Sequence, residues 1–347
     1  MNGSAKISAE SDLGSARVTV LGAGSWGTAI ALLLAGKGCG VRLWEFRPNA
    51  AERLRREREN KEFLPGLPLP ETISIHHDAA ACLEESQFVI LAIPSQFVRG
   101  ALEKIKAAIP DRAILINAAK GIEEGTLRRP SEVIRDLISD AFPDRYAALS
   151  GPSHAEEVSR EIPTTVVAAS EKLETARRVQ ELFSTSAFRV YASEDLVGVE
   201  LGAALKNIIA IATGICDGLG FGDNTKGALL TRGLAEITRL GVKLGGQPRT
   251  FAGLSGMGDL ITTCMSRHSR NRYVGEQIGK GMRLNEVLAG MTMVAEGVRT
   301  CRSARDLAHR EGVPMPITEA VYSILFEDKN PKQAVVELMT RDLKVED

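Results

Sequence analysis

The sequence RVTVLGAGSWGTAIALLLAG, residues 17–36, decides the fold of the first half of the chain. It begins with a β-branched run, passes through three glycines spaced G-x-G-x-x-G, and continues as an apolar segment of helical character. A strand, this glycine motif and a helix in that order form the first βα turn of a doubly wound sheet. Gly22 permits the tight turn, Gly24 lets phosphates approach the backbone, and Gly27 lets the helix pack closely on the strand. Because the helix N-terminus offers unpaired N–H groups to phosphates, the stretch predicts a dinucleotide site.

The end of the next predicted strand bears on which dinucleotide is bound. Residues 41–44 lead to Glu45, about twenty residues beyond the motif, where an acid commonly binds the ribose 2′-hydroxyl of NAD. Arg47 follows, and its guanidinium suits the 2′-phosphate of NADP unless it is a solvated charge at a helix start. The pattern therefore leaves the choice between NAD and NADP open.

Further apolar runs predict more strands of the same sheet. Such runs occupy residues 88–93, 113–117, 147–149, 164–169 and 188–191. Continuous apolar runs are expected of parallel strands that are buried on both faces. Between them, residues 48–60 are predicted to form a charged, solvated helix, and the proline-rich residues 63–70 a loop.

Polar or turn residues follow three of these strands, at the ends where ligands bind in such sheets. Pro94-Ser95 follows the strand at residues 88–93. Residues 117–123 (NAAKGIE) place Lys120 at such an end, the alternative being an ordinary surface lysine. Residues 151–156 (GPSHAE) form another strand-to-helix turn. Ser153 either contacts a ligand or only caps the helix that follows, and His154 is expected to be structural.

From about residue 194 strand patterns nearly vanish and helical periodicity takes over. We therefore predict an α/β fold: an N-terminal Rossmann-like, mostly parallel sheet with helices on both faces (residues 16–193), plus an all-α C-terminal domain (residues 194–347). The polar residues 1–15 are predicted to be a disordered tail.

The helical half begins with EDLVGVELGAALKNIIAIATGICDG, residues 194–218. Five positions at i, i+4 spacing lie on one ridge of this predicted helix: Gly198, Gly202, Lys206, Ala210 and Gly214. A glycine inside a helix costs about 1 kcal/mol relative to alanine, so we expect another backbone or a ligand to approach the ridge. Lys206 is then a candidate ionisable group at the floor of a cleft; the alternative is a lysine whose amine extends to solvent.

Two later stretches are also candidates for a site. Residues 253–260 (GLSGMGDL) are glycine-rich, but no strand precedes them, so they are expected to bring backbone close to a cleft and not to bind a second nucleotide. Asp259 lies near the end of this stretch. Residues 269–271 (SRN) combine a hydroxyl, a guanidinium and an amide, which suits a phosphate, although such a tripeptide also occurs on ordinary surfaces.

Composition excludes several classes of protein. The 347 residues suit two domains, and 44% hydrophobic with 25% charged residues is typical of a soluble globular protein. A net charge of −1 and 5% aromatic residues argue against nucleic-acid binding or a charged membrane surface. Five scattered cysteines without C-x-x-C spacing indicate reduced thiols in a cytoplasm, and neither a zinc site nor a disulfide framework. The longest apolar runs fall short of about 18 residues, so we predict no membrane span.

Six motifs in this order resemble those of the bacterial-type NAD(P)-dependent glycerol-3-phosphate dehydrogenases, over about residues 17–326. They are residues 22–27, 117–123, 151–157, 200–207 (ELGAALKN), 253–260 and 269–271. The resemblance implies interconversion of sn-glycerol 3-phosphate and dihydroxyacetone phosphate with NAD or NADP, for glycerophospholipid synthesis. It also implies a homodimer in which each chain joins a Rossmann domain to a helical substrate domain.

The resemblance further implies residue roles. Lys206 resembles the proton-transferring base of the family, and Lys120 a residue that touches both cofactor and substrate. Substrate contacts are implied at Gly151, Ser153, Asp259, Ser269, Arg270 and Asn271, and, from eukaryotic relatives, at Asn207 and Thr263. Cofactor contacts are implied at Gly22, Gly24, Ser25, Trp26, Gly27, Phe46, Arg47, Lys120, Ala155, Arg270, Val294 and Glu296. Residues 44–47 vary across the family, which leaves the contact at Phe46 and the choice between NAD and NADP open.

A lysine serves as acid and base near neutral pH only if its pKa is lowered toward about 7–8 by burial and nearby cations. We expect apolar neighbours to bury Lys206, Lys120 to supply the cation, and Asp259 to orient the amine. Two alternatives stay open. One is a related β-hydroxyacid or phosphogluconate-type dehydrogenase, and the other is an NAD(P)-sensing protein without turnover, which would not need Lys206, Lys120 and Arg270 together.

Overall fold

The computed structural model describes residues 15–138, 142–343 and 345. Its strands are β1 (Arg17–Leu21), β2 (Gly40–Trp44), β3 (Glu59–Asn60), β4 (Leu64–Pro68), β5 (Ile73–His76), β6 (Phe88–Leu91), β7 (Ile114–Asn117), β8 (Tyr146–Ser150), β9 (Thr164–Ala169) and β10 (Phe188–Ser193). Eight of them form one sheet in the order β10-β9-β8-β7-β6-β1-β2-β5, while β3 and β4 form a separate ribbon. Every neighbouring pair in the large sheet is parallel except β8 and β9. The predicted mostly parallel sheet is confirmed.

Helices cover both faces of this sheet. The helices of the first half are α1 (Ser25–Gly36), α2 (Pro48–Glu57), α3 (Ala79–Leu83), α4 (Val98–Ile105), α5 (Pro130–Leu137), α6 (Phe142–Arg145), α7 (Ala155–Val158) and α8 (Leu173–Phe183). Successive residues of β6 alternate between two apolar clusters, with Phe88 and Ile90 in one and Val89 and Leu91 in the other. Burial on both faces explains why this strand is a continuous apolar run in the sequence.

The strand order reverses beside β1. The chain passes from β1 to β2 on one side and later returns to β6 on the other side. In open α/β sheets, ligands bind at such a reversal, beyond the carboxyl ends of the strands. The glycine motif follows β1 directly, so it lies at that point.

Three features between residues 48 and 76 differ from the sequence-based prediction. The charged helix ends at Glu57, where Arg58 adopts the left-handed conformation (φ 49°), and does not continue to Asn60. The side chain of Asn60 is buried and donates hydrogen bonds to the Ala23 carbonyl (2.8 Å) and to Thr28 Oγ1 (2.7 Å). The proline-rich segment is not a plain loop, because β4 pairs with β3, and β5 is an edge strand that the pattern did not predict.

The second half is built from helices around one central helix. Its helices are α9 (Leu196–Gly218), α10 (Asp223–Lys243), α11 (Pro248–Phe251), α12 (Asp259–Met265), α13 (Arg270–Gly279), α14 (Leu284–Ala289), α15 (Glu296–Glu311), α16 (Pro316–Phe326) and α17 (Pro331–Met339), with a π-helical turn at Leu254–Gly258. Among the described helices, α9 alone is long and apolar enough to match a membrane span, but 94% of its most apolar window is buried inside the fold. It is therefore the core helix of this half.

The glycine ridge of α9 meets other backbone, as predicted. A Cβ atom added to Gly202 would lie 2.8 Å from the Ser255 carbonyl oxygen, and one added to Gly214 would lie 1.9 Å from that of Arg272. Both distances are shorter than a carbon–oxygen contact allows, so a larger residue cannot be accommodated without movement. The glycine-rich residues 253–258 thus pack directly on the helix that carries Lys206.

The predicted tail at residues 1–15 lies outside the described residues except for Ser15. The division into domains at residues 193 and 194 stays a prediction about folding units. The last strand of the sheet ends at Ser193, and the described elements from Leu196 onward are helices.

Candidate active site

The glycine motif forms an open turn at the N-terminus of α1. Gly22 has φ +114°, and a Cβ there would lie 2.6 Å from the Ala92 carbonyl oxygen, so only glycine fits. At Gly24 an added Cβ meets no atom within 4 Å, which leaves the backbone accessible. No side chain caps α1, and its first turn carries no acidic residue. Unpaired N–H groups at the positive end of a helix fit the pyrophosphate of a dinucleotide.

An acid and an arginine are fixed together at the end of β2. Glu45 is buried, and Arg47 Nε donates to its Oε1 at 2.9 Å. A second nitrogen of Arg47 donates to Glu62 Oε1 at 3.0 Å, and the guanidinium lies 5.7 Å from the centre of the exposed Phe46 ring. Arg47 is therefore a positioned charge and not a freely solvated one. Both groups that distinguish NAD from NADP are present, so the geometry does not choose between them.

Lys206 is buried beside the carboxylate of Asp259, the first residue of α12. Its Nζ lies 2.9 Å from Oδ1 of Asp259 and donates to Thr263 Oγ1 at 2.5 Å. Asp259 and Thr263 are one turn apart on α12, and the threonine hydroxyl also donates to Asp259 Oδ1 at 3.2 Å. The side chain of Lys206 is 5% exposed, which excludes the alternative of a lysine that extends to solvent.

A second amine reaches the same carboxylate from the sheet half. Lys120, in the loop after β7, places its Nζ 2.8 Å from Asp259 Oδ2 and 3.2 Å from the Gly151 carbonyl oxygen. Its side chain is 16% exposed, so it is not an ordinary surface lysine. Gly151 follows β8 with φ +147°, and a Cβ there would lie 2.8 Å from the Cα of Val166. The two halves of the chain thus meet at one carboxylate that binds two ammonium groups.

This arrangement sets the ionisation of Lys206. Burial lowers the pKa of Lys206 to about 8; Asp259 opposes that effect, and the charge of Lys120 adds to it. Burial alone would raise the pKa of Asp259, but the Lys120 and Lys206 ammonium groups outweigh it and hold that pKa below its usual value. Near neutral pH, Lys206 is therefore a buried amine able to give or take a proton, beside a carboxyl group whose lowered pKa favours its ionised form.

The proposed phosphate-binding residues lie at the start of α13. Ser269 caps this helix by accepting a hydrogen bond from the Arg272 N–H at 3.2 Å. Asn271 is buried, donates to Asn207 Oδ1 at 2.9 Å and accepts from the Gly297 N–H at 2.9 Å. The Arg270 side chain forms no hydrogen bond or ion pair with any residue in the described ranges, although its charge acts on the buried Glu296 carboxyl, and the residue is half-buried. One arginine is thus left available next to two amides that are held in place.

Ser153 and His154 occupy the turn after Gly151. The Ser153 hydroxyl donates to the Gly151 carbonyl at 3.0 Å, and the N-cap of α7 is His154, so the capping interpretation of Ser153 is wrong. The His154 ring lies 5.9 Å from that of His268, in the loop before Ser269. Ala155 begins α7 and packs with Ala29 of α1.

The remaining predicted cofactor contacts flank the carboxyl end of β6. Ser25 and Trp26 form the first turn of α1. Val294 and Glu296 line a cavity of about 260 Å³ together with residues 94–97. Glu296 Oε1 accepts a hydrogen bond from the Ser95 N–H at 3.0 Å, and burial raises the pKa of this carboxyl. The sequence showed only that a polar turn, Pro94-Ser95, follows a buried strand; it gave no sign of this bond between residues 201 positions apart.

A doubly wound sheet with an open glycine turn, together with a buried lysine of pKa about 8 contributed by a helical half, is the arrangement expected of an NAD(P)-dependent dehydrogenase. Models of the NAD-dependent glycerol-3-phosphate dehydrogenase family match this chain at residues 17–176 for the N-terminal part and 195–336 for the C-terminal part. The chain belongs to the NAD-dependent glycerol-3-phosphate dehydrogenase family.

Individual relatives agree with that assignment. A glycerol-3-phosphate dehydrogenase (NAD(P)+) from Chlorobium phaeobacteroides is 54% identical over 330 residues, which cover 95% of this chain and 99% of that one. The relative of the same name from Pelotomaculum thermopropionicum is 53% identical over 94% of each chain. The crystal structure of glycerol-3-phosphate dehydrogenase from Coxiella burnetii has a TM-score of 0.90 and 38% identity, covering 94% of this chain and 100% of that one. The family resemblance inferred from six motifs is confirmed.

Proposed function

We propose that this protein transfers hydride reversibly between NAD(P)H and dihydroxyacetone phosphate, giving sn-glycerol 3-phosphate, with Lys206 moving the proton. The observation that carries the proposal is the Lys206 amine, buried 2.9 Å from Asp259 with a pKa of about 8, where the two halves meet. A buried amine with this pKa has both protonation states populated at physiological pH.

The proton chemistry follows from these contacts. A bound nicotinamide supplies or accepts the hydride. In the direction of reduction, protonated Lys206 donates a hydrogen bond to the ketone oxygen and then its proton to the alkoxide that forms. In the direction of oxidation, neutral Lys206 accepts the hydroxyl proton. Asp259 holds the Lys206 amine in one place in both directions of the reaction. The charge of Lys120 lowers the pKa of Lys206 and so opposes the effect of Asp259 on it.

The start of α13 supplies the anchor for the substrate phosphate in this proposal. The Arg270 guanidinium forms no hydrogen bond or ion pair in the described part of the chain, while Asn271 is fixed by Asn207 and by the Gly297 N–H. A guanidinium binds phosphate oxygens in pairs, and binding energy from the phosphate holds the reacting carbon in position. Gly151, Ser153 and Ser269 are the further substrate contacts that we propose.

The cofactor is proposed to bind along the N-terminus of α1 and the end of β2. The turn at Gly24, Ser25 and Trp26 would hold the pyrophosphate, and Glu45 with Arg47 would contact the adenosine ribose. The proposal includes both NAD and NADP, because an acid and an arginine are both in place. Ala155, Val294 and Glu296 are proposed to contact the remainder of the cofactor.

The setting of the reaction is also part of the proposal. A homodimer, a cytoplasmic location and a role in glycerophospholipid synthesis follow from the family resemblance. None of the five cysteines forms a disulfide, and all five are buried, which is compatible with a reducing compartment. Light scattering of the purified chain tests the dimer directly.

Steady-state oxidation of NADH and of NADPH with dihydroxyacetone phosphate tests the reaction. We expect turnover with dihydroxyacetone phosphate and none with 2-keto or 3-keto acids. Turnover with a keto acid alone would instead indicate the related hydroxyacid class. Tight NADPH binding without turnover of either substrate would indicate a sensing protein.

A further inference from the structure

A second buried carboxylate, that of Glu200 on α9, is hydrogen-bonded entirely to the sheet half. Its Oε1 accepts hydrogen bonds from the Ser131 N–H (2.9 Å) and the Tyr146 hydroxyl (2.7 Å). Its Oε2 accepts from Arg129 (2.9 Å) and the Ser131 hydroxyl (2.5 Å). Arg129 and Ser131 lie at the start of α5, and Tyr146 begins β8. Four donors from the sheet half therefore converge on one side chain of the helix that carries Lys206.

The four bonds satisfy this carboxylate completely. Each oxygen accepts two hydrogen bonds, and the Glu200 side chain is 2% exposed. A buried carboxylate is tolerated only when it is paired and fully hydrogen-bonded, and removing one partner leaves the other groups buried without compensation. The geometry around Glu200 is therefore demanding, since a small shift of α9 would break bonds to several donors together.

Among the side chains of α9, only that of Glu200 hydrogen-bonds to the sheet half within the described ranges. Lys206 bonds to Asp259, Asn207 is bonded by Asn271, and Asp217 pairs with Arg272, all inside the helical half. The amine at Lys206 is thus fixed relative to the helical half by Asp259. Lys120 ties Asp259 in turn to the sheet half, but the side-chain hydrogen bonds of α9 itself to that half come from Glu200.

Helix geometry connects the two residues. Lys206 follows Glu200 by six residues, which places it about 9 Å further along the axis and about 120° around it. Glu200 faces the sheet while Lys206 faces Asp259, so a rotation or slide of α9 at Glu200 moves the Lys206 amine by a similar amount. A displacement of about 1 Å at a reacting group can lower a rate by about 100-fold.

We propose that Glu200 is a positioning residue, whose carboxylate fixes the rotation and axial position of α9 against the sheet half and thereby sets where the Lys206 amine meets the substrate. This inference rests on the proposed role of Lys206 in proton transfer. It assigns to Glu200 no contact with substrate or cofactor.

The test is Glu200→Gln, which keeps the size of the side chain. It replaces one carboxylate oxygen, a hydrogen-bond acceptor, with an NH2 group, and this donor then lies against the donor groups of Arg129, Ser131 or Tyr146. We expect kcat for dihydroxyacetone phosphate reduction to fall about 10-fold or more, with KM changed less than about threefold, because misplacement slows the chemical step more than binding. The deuterium isotope effect with 4-deuterated NADH should rise as hydride transfer becomes rate-limiting. The pH midpoint set by Lys206 should stay where it is, because Glu200 does not contact that amine.

Two further variants separate positioning from stability. Tyr146→Phe removes one of the four donors and leaves the pair with Arg129, so it should change kcat and the isotope effect in the same direction by a smaller factor. Glu236→Gln is the matched control. Glu236 is also a buried carboxylate, but it accepts hydrogen bonds from the backbone N–H groups of Ile317 and Thr318, which lie inside the helical half. The Glu236→Gln variant should have a changed melting temperature, while the kcat of its folded fraction and its isotope effect should equal those of wild type.

The inference is overturned if Glu200→Gln lowers only the melting temperature and keeps the wild-type kcat and isotope effect. If Glu200→Gln does not fold, Tyr146→Phe decides, and an unchanged isotope effect in that variant overturns the inference. Failure of the proposed function is distinguishable, because it would appear as wild-type turnover in a Lys206→Met variant whatever Glu200→Gln does.

Discussion

The Nζ atom of Lys206 lies 2.9 Å from Oδ1 of Asp259, and both side chains are buried. The other oxygen of this carboxylate binds Lys120 at 2.8 Å, so two ammonium groups share one negative charge. The cluster therefore carries a net positive charge while Lys206 is protonated. Such an excess favours a phosphorylated, anionic substrate, and it makes loss of the Lys206 proton easier than in a simple ion pair.

Replacing the Lys206 amine tests its role in proton transfer. Lys206→Met keeps the length of the side chain, and we expect kcat to fall at least ~100-fold with a modest change in KM, since general acid–base catalysis contributes about 10²–10⁴. Steady-state kinetics in both directions measure this. The exposed Lys104→Met in α4 is the control and should keep wild-type rates. A Lys206→Met enzyme with nearly normal kcat would remove Lys206 from the mechanism.

The two directions of the reaction should depend on pH in opposite ways. Reduction of dihydroxyacetone phosphate needs protonated Lys206, so its kcat should fall as pH rises through about 8, the pKa of this amine. Oxidation of glycerol 3-phosphate needs the neutral amine, so its kcat should rise through the same pH. Rate profiles from pH 6 to 10 check this. Two profiles that change in the same direction would contradict the assignment of Lys206 to both steps.

Removing the charge of Asp259 should move that midpoint. Asp259 raises the pKa of Lys206 against the effect of burial, so Asp259→Asn should shift the midpoint toward lower pH by about 1 unit. The enzyme should then be weaker in reduction at pH 7.5, where less of the amine is protonated. The measurement is the same pair of profiles on the variant. A midpoint that stays near 8 or moves upward would mean that Asp259 does not set the ionisation of Lys206.

Arg270 should act on substrate binding more than on turnover. Arg270→Ala is expected to raise KM for dihydroxyacetone phosphate at least ~10-fold, the loss typical of a charge-assisted pair to phosphate. Dihydroxyacetone without its phosphate provides the second measurement, because the variant should discriminate less between the two ketones than wild type does. Arg267→Ala, three residues away and exposed, is the control. An unchanged KM in Arg270→Ala would place the phosphate elsewhere.

Much of this site was predictable because its signals are local in sequence. The glycine motif needs only a strand before it and a helix after it, and both lie within residues 17–36. Lys206 stands among small apolar residues at helical spacing, which predicts burial without knowledge of the fold. The prediction that Asp259 orients Lys206 required the family resemblance, since 53 positions separate these residues.

The features that the sequence did not indicate depend on partners far along the chain. Strand β5 is four residues long, alternates in burial, and pairs with β2 at the edge of the sheet, so its pattern is weak. Glu200 looks like a solvated charge on a helix until Arg129 and Ser131, about 70 residues earlier, are brought beside it. Polar side chains of this kind carry no local signal of burial, because burial is decided by what packs against them.

Because Gly214 packs so closely against α13, even its replacement by alanine should cause a large loss of stability. In Gly214→Ala the added Cβ would lie 1.9 Å from the Arg272 carbonyl oxygen, so α9 and α13 must separate. We expect urea unfolding to show a destabilisation of about 3 kcal/mol or more, at the upper end of overpacking effects. Gly100→Ala is the control, because Gly100 lies within α4 and an added Cβ meets no atom within 4 Å. That variant should be as stable as wild type or up to about 1 kcal/mol more stable.

The buried carboxyl group of Glu236 should make the stability of the fold depend on pH, independently of catalysis. Its carboxyl group on α10 accepts hydrogen bonds from the Ile317 N–H (2.6 Å) and the Thr318 N–H (3.3 Å) at the start of α16. Burial raises the pKa of Glu236 to about 7, from the 4.5 of an exposed glutamate, and these hydrogen bonds only partly oppose the shift. The folded protein therefore binds this proton more tightly than the unfolded chain does. The resulting stabilisation is complete below pH 4.5 and is lost as pH rises through about 7.

The variant Glu236→Gln has no proton to lose at this position, so the difference in unfolding free energy between wild type and variant isolates the effect. This difference should become less favourable to wild type by about 3 kcal/mol between pH 4.5 and pH 8, since each unit of pKa shift corresponds to about 1.4 kcal/mol. Urea unfolding at pH 5, 6, 7 and 8 measures it, and effects of other titrating groups cancel in the subtraction. The exposed Glu52→Gln on α2 is the control and should give a difference that hardly changes with pH. A Glu236 difference that stays constant or grows in favour of wild type would mean that this carboxyl is already ionised in the folded protein at pH 5.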